Sequence, residues 1–209
     1  MSKVKAIIFD LDGVLVEAKE WHYEALNRAL SFFGMEISRH DHLAKFDGLP
    51  TRKKIEILSK EEGLPCELHE FINSLKQTYT MEAIYANCKP RFDHQYALSR
   101  LKRERFVLTV ATNSVRDSME LMLTRAGLME FLEFYLSNED VERAKPDPEI
   151  FSTSFRRLNM EPHQCLILED NHNGLRAAEE SGAHVMQVID VQDVNYWDII
   201  RRIKKIEEA

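Results

Sequence analysis

The stretch Ala6-Ile7-Ile8-Phe9-Asp10-Leu11-Asp12-Gly13-Val14 constrains this chain more than any other. Its apolar run reads as a strand buried on both faces, as in a parallel sheet. The run stops at two carboxylates spaced two residues apart, followed by a glycine. In open α/β sheets the ligand crevice lies outside the carboxyl ends of the strands, so Asp10 and Asp12 stand where such sheets place their chemistry. Two anions held close repel each other, and a hard cation such as Mg²⁺ is the simplest compensation. On these residues alone, an equal reading is that Asp-Leu-Asp-Gly merely ends a strand and makes a turn.

The chain then changes character. From Glu17 to Gly34 the pattern is helical, with His22, Leu26, Ala29, Leu30 and Phe33 on one face and Gly34 as the stop. A short helix is expected over His40 to Phe46, then a turn at Asp47-Gly48-Leu49-Pro50. One helix follows from Thr51 to Gly63 and a longer one ends near Asn87. No strand is expected between Lys19 and Cys88. Beyond Pro90, helices alternate with apolar runs at Phe106–Ala111, Phe134–Ser137, Cys165–Leu168 and His184–Val188. Asp147-Pro148 reads as a helix cap followed by proline in the first turn. Trp197, Ile200, Ile203 and Ile206 predict an amphipathic last helix. Such alternation implies a parallel sheet with right-handed crossovers, here a Rossmann-like doubly wound α/β core carrying an all-helical insertion.

Composition narrows the function. With 209 residues, 44% hydrophobic and 30% charged, the chain has the makeup of a soluble globular protein. A net charge of −7 argues against nucleic acid as a partner. The first residues lead into only a short apolar run, so neither a signal peptide nor a membrane span is expected. Cys66, Cys88 and Cys165 show no disulfide or zinc spacing and read as core thiols of a cytoplasmic protein.

Polar residues recur at the strand ends: Asp10 and Asp12, then Thr112 and Asn113, then Glu169 and Asp170, with Lys145 in a loop. Each alone has an ordinary explanation. Thr112-Asn113-Ser114 is a good helix cap, Lys145 a solvated lysine, and Glu169-Asp170 a complement to the next helix dipole. Their joint order and placement is less ordinary. In this order, Asp10-Leu11-Asp12-Gly13-Val14, Thr112-Asn113, Lys145-Pro146-Asp147-Pro148-Glu149-Ile150-Phe151 and Leu168-Glu169-Asp170 resemble the four motifs of the haloacid dehalogenase-like hydrolase superfamily. The pattern is similar to the helical-cap branch that includes small-molecule phosphatases, phosphoglycolate phosphatases among them, and β-phosphoglucomutases.

That resemblance implies a core of residues 1–14 and 88–209 and a helical cap of residues 15–87 that moves as a lid. It implies Asp10 as the nucleophile, forming an aspartyl-phosphate, and Asp12 as the acid and base, contacting the metal through its backbone carbonyl. Asp10, Asp12, Asp170 and Glu169 are thus the implied Mg²⁺ site, with Glu169 direct or through water. Thr112, the Asn113 backbone N–H and Lys145 are the implied phosphoryl ligands, Lys145 also stabilising charge in the transition state. In the cap, His22, Asp47, Gly48 and Arg52 are the implied substrate readers. Glu17-Ala18 departs from the branch's usual aspartate and serine or threonine. Asp47 and Thr51 stand where the mutase has lysine and arginine, with Arg52 displaced by one.

The expectation is therefore a Mg²⁺-dependent phosphatase of a small phosphate monoester, such as a sugar, polyol or amino-alcohol phosphate. It is expected to be cytoplasmic, a monomer or weak homodimer, with no nucleic-acid or membrane partner. A sugar phosphomutase is the alternative, and a catalytically idle protein of the same fold is a third reading.

Overall fold

The computed structural model describes residues 4–208. Ala6–Phe9 form β1, the central strand. A helical segment follows, holding α1 (Lys19–Leu30), the short α2 (Arg39–Asp41), α3 (Thr51–Glu62) and α4 (His69–Asn87). Then come α5 (Phe92–Arg103), β2 (Val107–Ala111), α6 (Arg116–Ala126), β3 (Phe134–Leu136) and α7 (Glu149–Leu158). The chain closes with β4 (Cys165–Glu169), α8 (His172–Glu180), β5 (His184–Gln187) and α9 (Tyr196–Glu208).

The strands form one parallel sheet in the order β3-β2-β1-β4-β5. The chain moves outward from β1 through β2 to β3, then returns to the other side of β1 with β4. That reversal makes a switch point at the carboxyl end of β1, where open α/β sheets bind ligands. Register brings the motif ends together: Phe9 pairs with both Val110 and Leu168, so Asp10, Thr112 and Glu169 emerge along one edge.

Strand alternation explains the burial on both faces. Ile7, Phe9, Leu108, Val110, Leu166 and Leu168 pack on one side with residues of α5, α6 and α9. Ala6, Ile8, Cys165 and Ile167 pack on the other with Ile150, Phe151 and Phe155 of α7 and Ala177 and Ala178 of α8. The inserted helices have a core of their own, built from Leu26, Ala29, Leu30, Ile37, Phe46, Ile55, Leu58, Leu64 and Ile72. Near the end of α4, Ile84 joins the sheet's core instead, which ties the insertion to the sheet.

Three local expectations are corrected. Helix α7 begins at Glu149 with Pro148 at the capping position, so proline sits one residue before the first turn; Asp147 still caps by accepting from the Glu149 N–H at 3.0 Å. In α9 the buried stripe is Tyr196, Ile199 and Ile203, and Trp197 lies 64% exposed. At that end Tyr196 meets Tyr96 of α5 edge-on, while Ile200 and Ile206 pack partly buried against the same core. Cys88 and Cys165 are buried, but Cys66 is exposed. Among the described residues no helix is long and apolar enough to cross a membrane.

Candidate active site

The backbone reverses just past β1, where the Gly13 N–H donates to Val16 O at 2.7 Å and the Val16 N–H donates to Leu11 O at 2.9 Å. Gly13 has φ +87°, and a β-carbon there would lie 2.0 Å from Asp170 Oδ2. Glycine is thus required both for the left-handed turn and for the approach of the carboxylate. Gly174 serves the same end in α8: a β-carbon there would lie 2.1 Å from the Glu169 carboxylate.

Asp10, Glu169 and Asp170 bring three carboxylates within 4.8 Å of one another. Lys145 enters this cluster from the loop before α7. Its ammonium donates to Asp10 Oδ1 at 2.7 Å, to Ala111 O at 2.8 Å and to Glu169 Oε1, and lies 4.9 Å from the centre of the Phe151 ring. Burial works against that charge, but Asp10 and Glu169 outweigh it and hold the Lys145 pKa above the ordinary lysine value. The opposite holds for the carboxylates. Burial first, then the neighbouring acids, pushes Asp10 well above the usual carboxylate range, and burial likewise raises Glu169 and Asp170. Lys145 and the partly exposed Lys19 do not balance three buried acids. A divalent cation with oxygen ligands does, so the donor set fits such a metal. The side chain of Asp170 is 1% exposed, and its Oδ2 faces the Lys19 ammonium at 2.5 Å, where a cation is evidently favoured.

Asp12 is set apart from that cluster. Oδ1 lies 2.9 Å from His22 Nε2, while Oδ2 accepts from Ser114 Oγ at 2.6 Å and from Thr112 Oγ1 at 3.4 Å. On the far side of the ring, Lys76 Nζ of α4 lies 3.0 Å from His22 Nδ1. An ammonium can only donate, so Nδ1 accepts and Nε2 carries the proton toward Asp12. Burial pushes the Asp12 carboxyl up, but His22, Ser114 and Lys76 outweigh it and hold it at about 2. Burial and the Lys76 charge lower the His22 pKa, and burial with the Lys54 charge brings Lys76 down to about 7.

Asn113 is a brace. Its side-chain Oδ1 accepts from the Lys145 N–H at 3.0 Å, and Nδ2 donates to Lys145 O at 3.1 Å and to Gly48 O at 2.9 Å. The loop before α3 is held a second time by Asn173 Nδ2, which donates to Asp47 O at 3.0 Å. Asp47 and Gly48 thus reach the site through their carbonyls, and the Asp47 side chain is partly exposed. Arg52 lies exposed in the first turn of α3, away from these contacts.

A family model for haloacid dehalogenase-like hydrolases matches residues 7–188, which spans every group just described. The chain belongs to the haloacid dehalogenase-like hydrolase family. Among its relatives is the phosphorylated carbohydrates phosphatase of Thermotoga maritima, 28% identical over 182 residues, covering 86% of this chain and 82% of that one. The validoxylamine A 7'-phosphate phosphatase of Streptomyces hygroscopicus subsp. limoneus is 28% identical over 204 residues, covering 90% and 87%. In fold, the chain is similar to a β-phosphoglucomutase from Clostridium difficile, with TM-score 0.84 and 19% identity over 99% of this chain and 100% of that one. Both of these curated relatives are named phosphatases.

Sequence reasoning missed Lys19, Lys76, Ser114 and Asn173, which contact this site, and Lys54, whose charge acts on Asp12 and Asp47. A signal for two of them was present. The buried residues of α4 are Ile72, Lys76, Thr80 and Ile84, a regular i, i+4 stripe with a lysine inside it. Lys54 likewise lies on the buried face of α3 with Ile55 and Leu58. A lysine on an apolar stripe is a buried charge that needs a reason. Arg52, the cation the resemblance implied here, is exposed, and Lys54 on the same helix is buried.

Proposed function

We propose that this protein is a Mg²⁺-dependent phosphatase of a small phosphate monoester, acting through an aspartyl-phosphate on Asp10. The observation that carries the reading is the strand-edge juxtaposition of Asp10, held by Lys145 at 2.7 Å, with a separate Asp12 carboxyl bonded to His22 and Ser114. One carboxylate is placed to attack and the other to move a proton. Residues 15–87 act as the cap and residues 1–14 with 88–209 as the core.

Asp10, the Asp12 backbone carbonyl, Glu169 and Asp170 would hold the metal, which when bound would supply positive charge against the repulsion between Asp10 and a phosphoryl dianion. The Asp10 carboxylate attacks phosphorus, and the bond to the leaving oxygen breaks. Lys145 stays charged and neutralises phosphoryl oxygens as they gain charge. Thr112 Oγ1 and the Asn113 N–H bind the same oxygens near the N-terminus of α6. Asp12 gives its proton to the leaving alcohol and later takes one from the water that attacks the aspartyl-phosphate. Its low pKa suits the second role directly. For the first role, the arriving dianion raises its proton affinity. The brace from Lys76 through His22 fixes the orientation of Asp12 as the cap meets the core.

A mutase of the β-phosphoglucomutase type is the competing reading. Lys54 and Lys76 remove the objection that the cap lacks cations, so the phosphatase reading is supported instead by the relatives at 28% identity. Phosphate release is measured beside isomer formation for glucose 1-phosphate and related esters, with and without a sugar bisphosphate, in Mg²⁺ and in EDTA. The phosphatase releases inorganic phosphate without the bisphosphate and falls silent in EDTA. Isomer formation that requires the bisphosphate, with little free phosphate, overturns it.

A further inference from the structure

Lys54 is a charge that this mechanism leaves unused. It is 7% exposed, yet its ammonium forms no hydrogen bond or ion pair with any described residue. Its neighbours on the surface behave differently: Lys53 pairs with Glu56 at 3.0 Å and Lys45 with Glu61 at 2.9 Å. Packing accounts for the lysine stem, since Ile55 and Leu58 beside it belong to the helical core. Packing does not account for the charge, because a methionine would cover the same face and an unpaired buried ammonium is costly.

The charge acts on the site. It attracts Asp47 and Asp12 and repels Lys76, His22 and His42. Burial brings its pKa down to about 8, so the amine keeps its proton at neutral pH. Asp12 is already bonded to His22 and Ser114, and Asp47 faces partly outward, so neither neutralises Lys54 by contact. The loop that leads into α3 is fastened to the core at Asp47 O and Gly48 O. Asp12 faces the leaving oxygen of a bound ester, so a cation whose field reaches Asp12 from the cap faces the rest of the leaving group.

We propose that Lys54 binds a second anionic group, a carboxylate or a phosphate, carried by the leaving alcohol; this rests on the phosphatase reading above. An amine there would be repelled, and a hydroxyl would leave the ammonium's charge unanswered. Lys54 therefore selects acid-bearing phosphate monoesters over neutral sugar and polyol phosphates.

The test uses matched esters with Mg²⁺: 3-phosphoglycerate against glycerol 3-phosphate, phosphoglycolate against 2-hydroxyethyl phosphate, and glucose 1,6-bisphosphate against glucose 6-phosphate. The first two pairs read a carboxylate and the third a phosphate. The kcat/KM ratio of anionic to neutral partner is compared for wild type, Lys54→Met and Lys54→Arg. The wild type prefers the anionic partner in at least one pair. Lys54→Met lowers that ratio about 10- to 100-fold, the worth of a charged hydrogen bond, and Lys54→Arg restores most of it. Preference for the neutral partner in every pair, or equal loss for both partners in Lys54→Met, overturns the proposal. The same ratio is read from binding by calorimetry in the Asp10→Asn background, with and without Lys54→Met. A protein that hydrolyses no ester thus defeats the phosphatase reading while the binding ratio still decides the role of Lys54.

Discussion

Two sets of buried charge meet in this molecule, and they are built on different rules. At the sheet edge, Asp10, Glu169 and Lys145 contact one another directly, and Asp170 contacts Lys19. In the helical wall, Lys54 has no contact partner, and Lys76 reaches a carboxylate only through His22. The first set carries an excess of negative charge that suits a metal. The second carries an excess of positive charge that suits the anionic substrate proposed for Lys54. Their titrations run in opposite senses. The folded state holds protons on Asp10, Glu169 and Asp170 that the unfolded chain has lost, so in the absence of metal their contribution falls as pH rises above the ordinary carboxylate range. The folded state releases protons from Lys76 and Lys54 before the unfolded chain does, so theirs grows as pH rises.

The sharpest break between the two sets comes at Asp10. Asp10→Asn should reduce turnover to background while the fold stays intact, because shape is kept and the nucleophile is lost. Steady-state phosphate release checks this, with mass spectrometry to exclude deamidation back to aspartate.

Asp12 stands between the two sets, and Asp12→Ala should cost ~10²–10⁴-fold in rate. The loss should shrink for esters with good leaving groups, which need less protonation. A leaving-group series with equal loss throughout would remove Asp12 from the acid role.

Lys76→Met sharpens the contrast through pH. Lys76 titrates near 7 in the folded state against an ordinary value of 10.5. Between those values the unfolded chain binds the extra proton, so wild type gains stability with rising pH, by up to about 1.4 kcal/mol per unit from this group. Chemical denaturation from pH 6 to 10 should show wild type gaining on Lys76→Met above pH 7 and tracking it in parallel below. A constant difference across that range contradicts the buried ammonium.

The smallest effect is expected at Lys19, whose side chain is 34% exposed. If Asp170 ligates the metal as proposed, the Lys19 ammonium competes for Oδ2, so Lys19→Met should tighten Mg²⁺ binding about two- to fivefold, as suits a partly exposed ion pair. Calorimetric titration of the substrate-free protein reads this directly.

The two sets were not equally legible in the sequence. The sheet and its edge could be read because period, strand ends and motif order all agree: the Ile7-Ile8-Phe9 run, the stop at Asp10 and the repeated polar strand ends point to one answer. The wall could not be read in the same way. Its charges come from α1, α3 and α4, and their meeting depends on how three helices pack. Arg52 was implied by its place one residue past the mutase's arginine, yet helical rotation puts Arg52 outside and Lys54 inside. Asn113 shows a third case. Its place at the end of β2 was evident, but the side chain's grip on Lys145 and Gly48 is tertiary and leaves no local trace.

Covalent catalysis at Asp10 is the claim on which the rest depends, and chemical trapping tests it most directly. The protein is mixed with substrate and Mg²⁺, quenched within one turnover, reduced with borohydride and digested. An aspartyl-phosphate is reduced to homoserine, so residue 10 of that peptide should have one oxygen fewer and two hydrogens more than aspartate, and the Asp10→Asn protein should show no such change. An unmodified Asp10 in protein that is turning over an aryl phosphate, whose leaving group needs no proton from Asp12, or reduction at another carboxylate, would contradict the account.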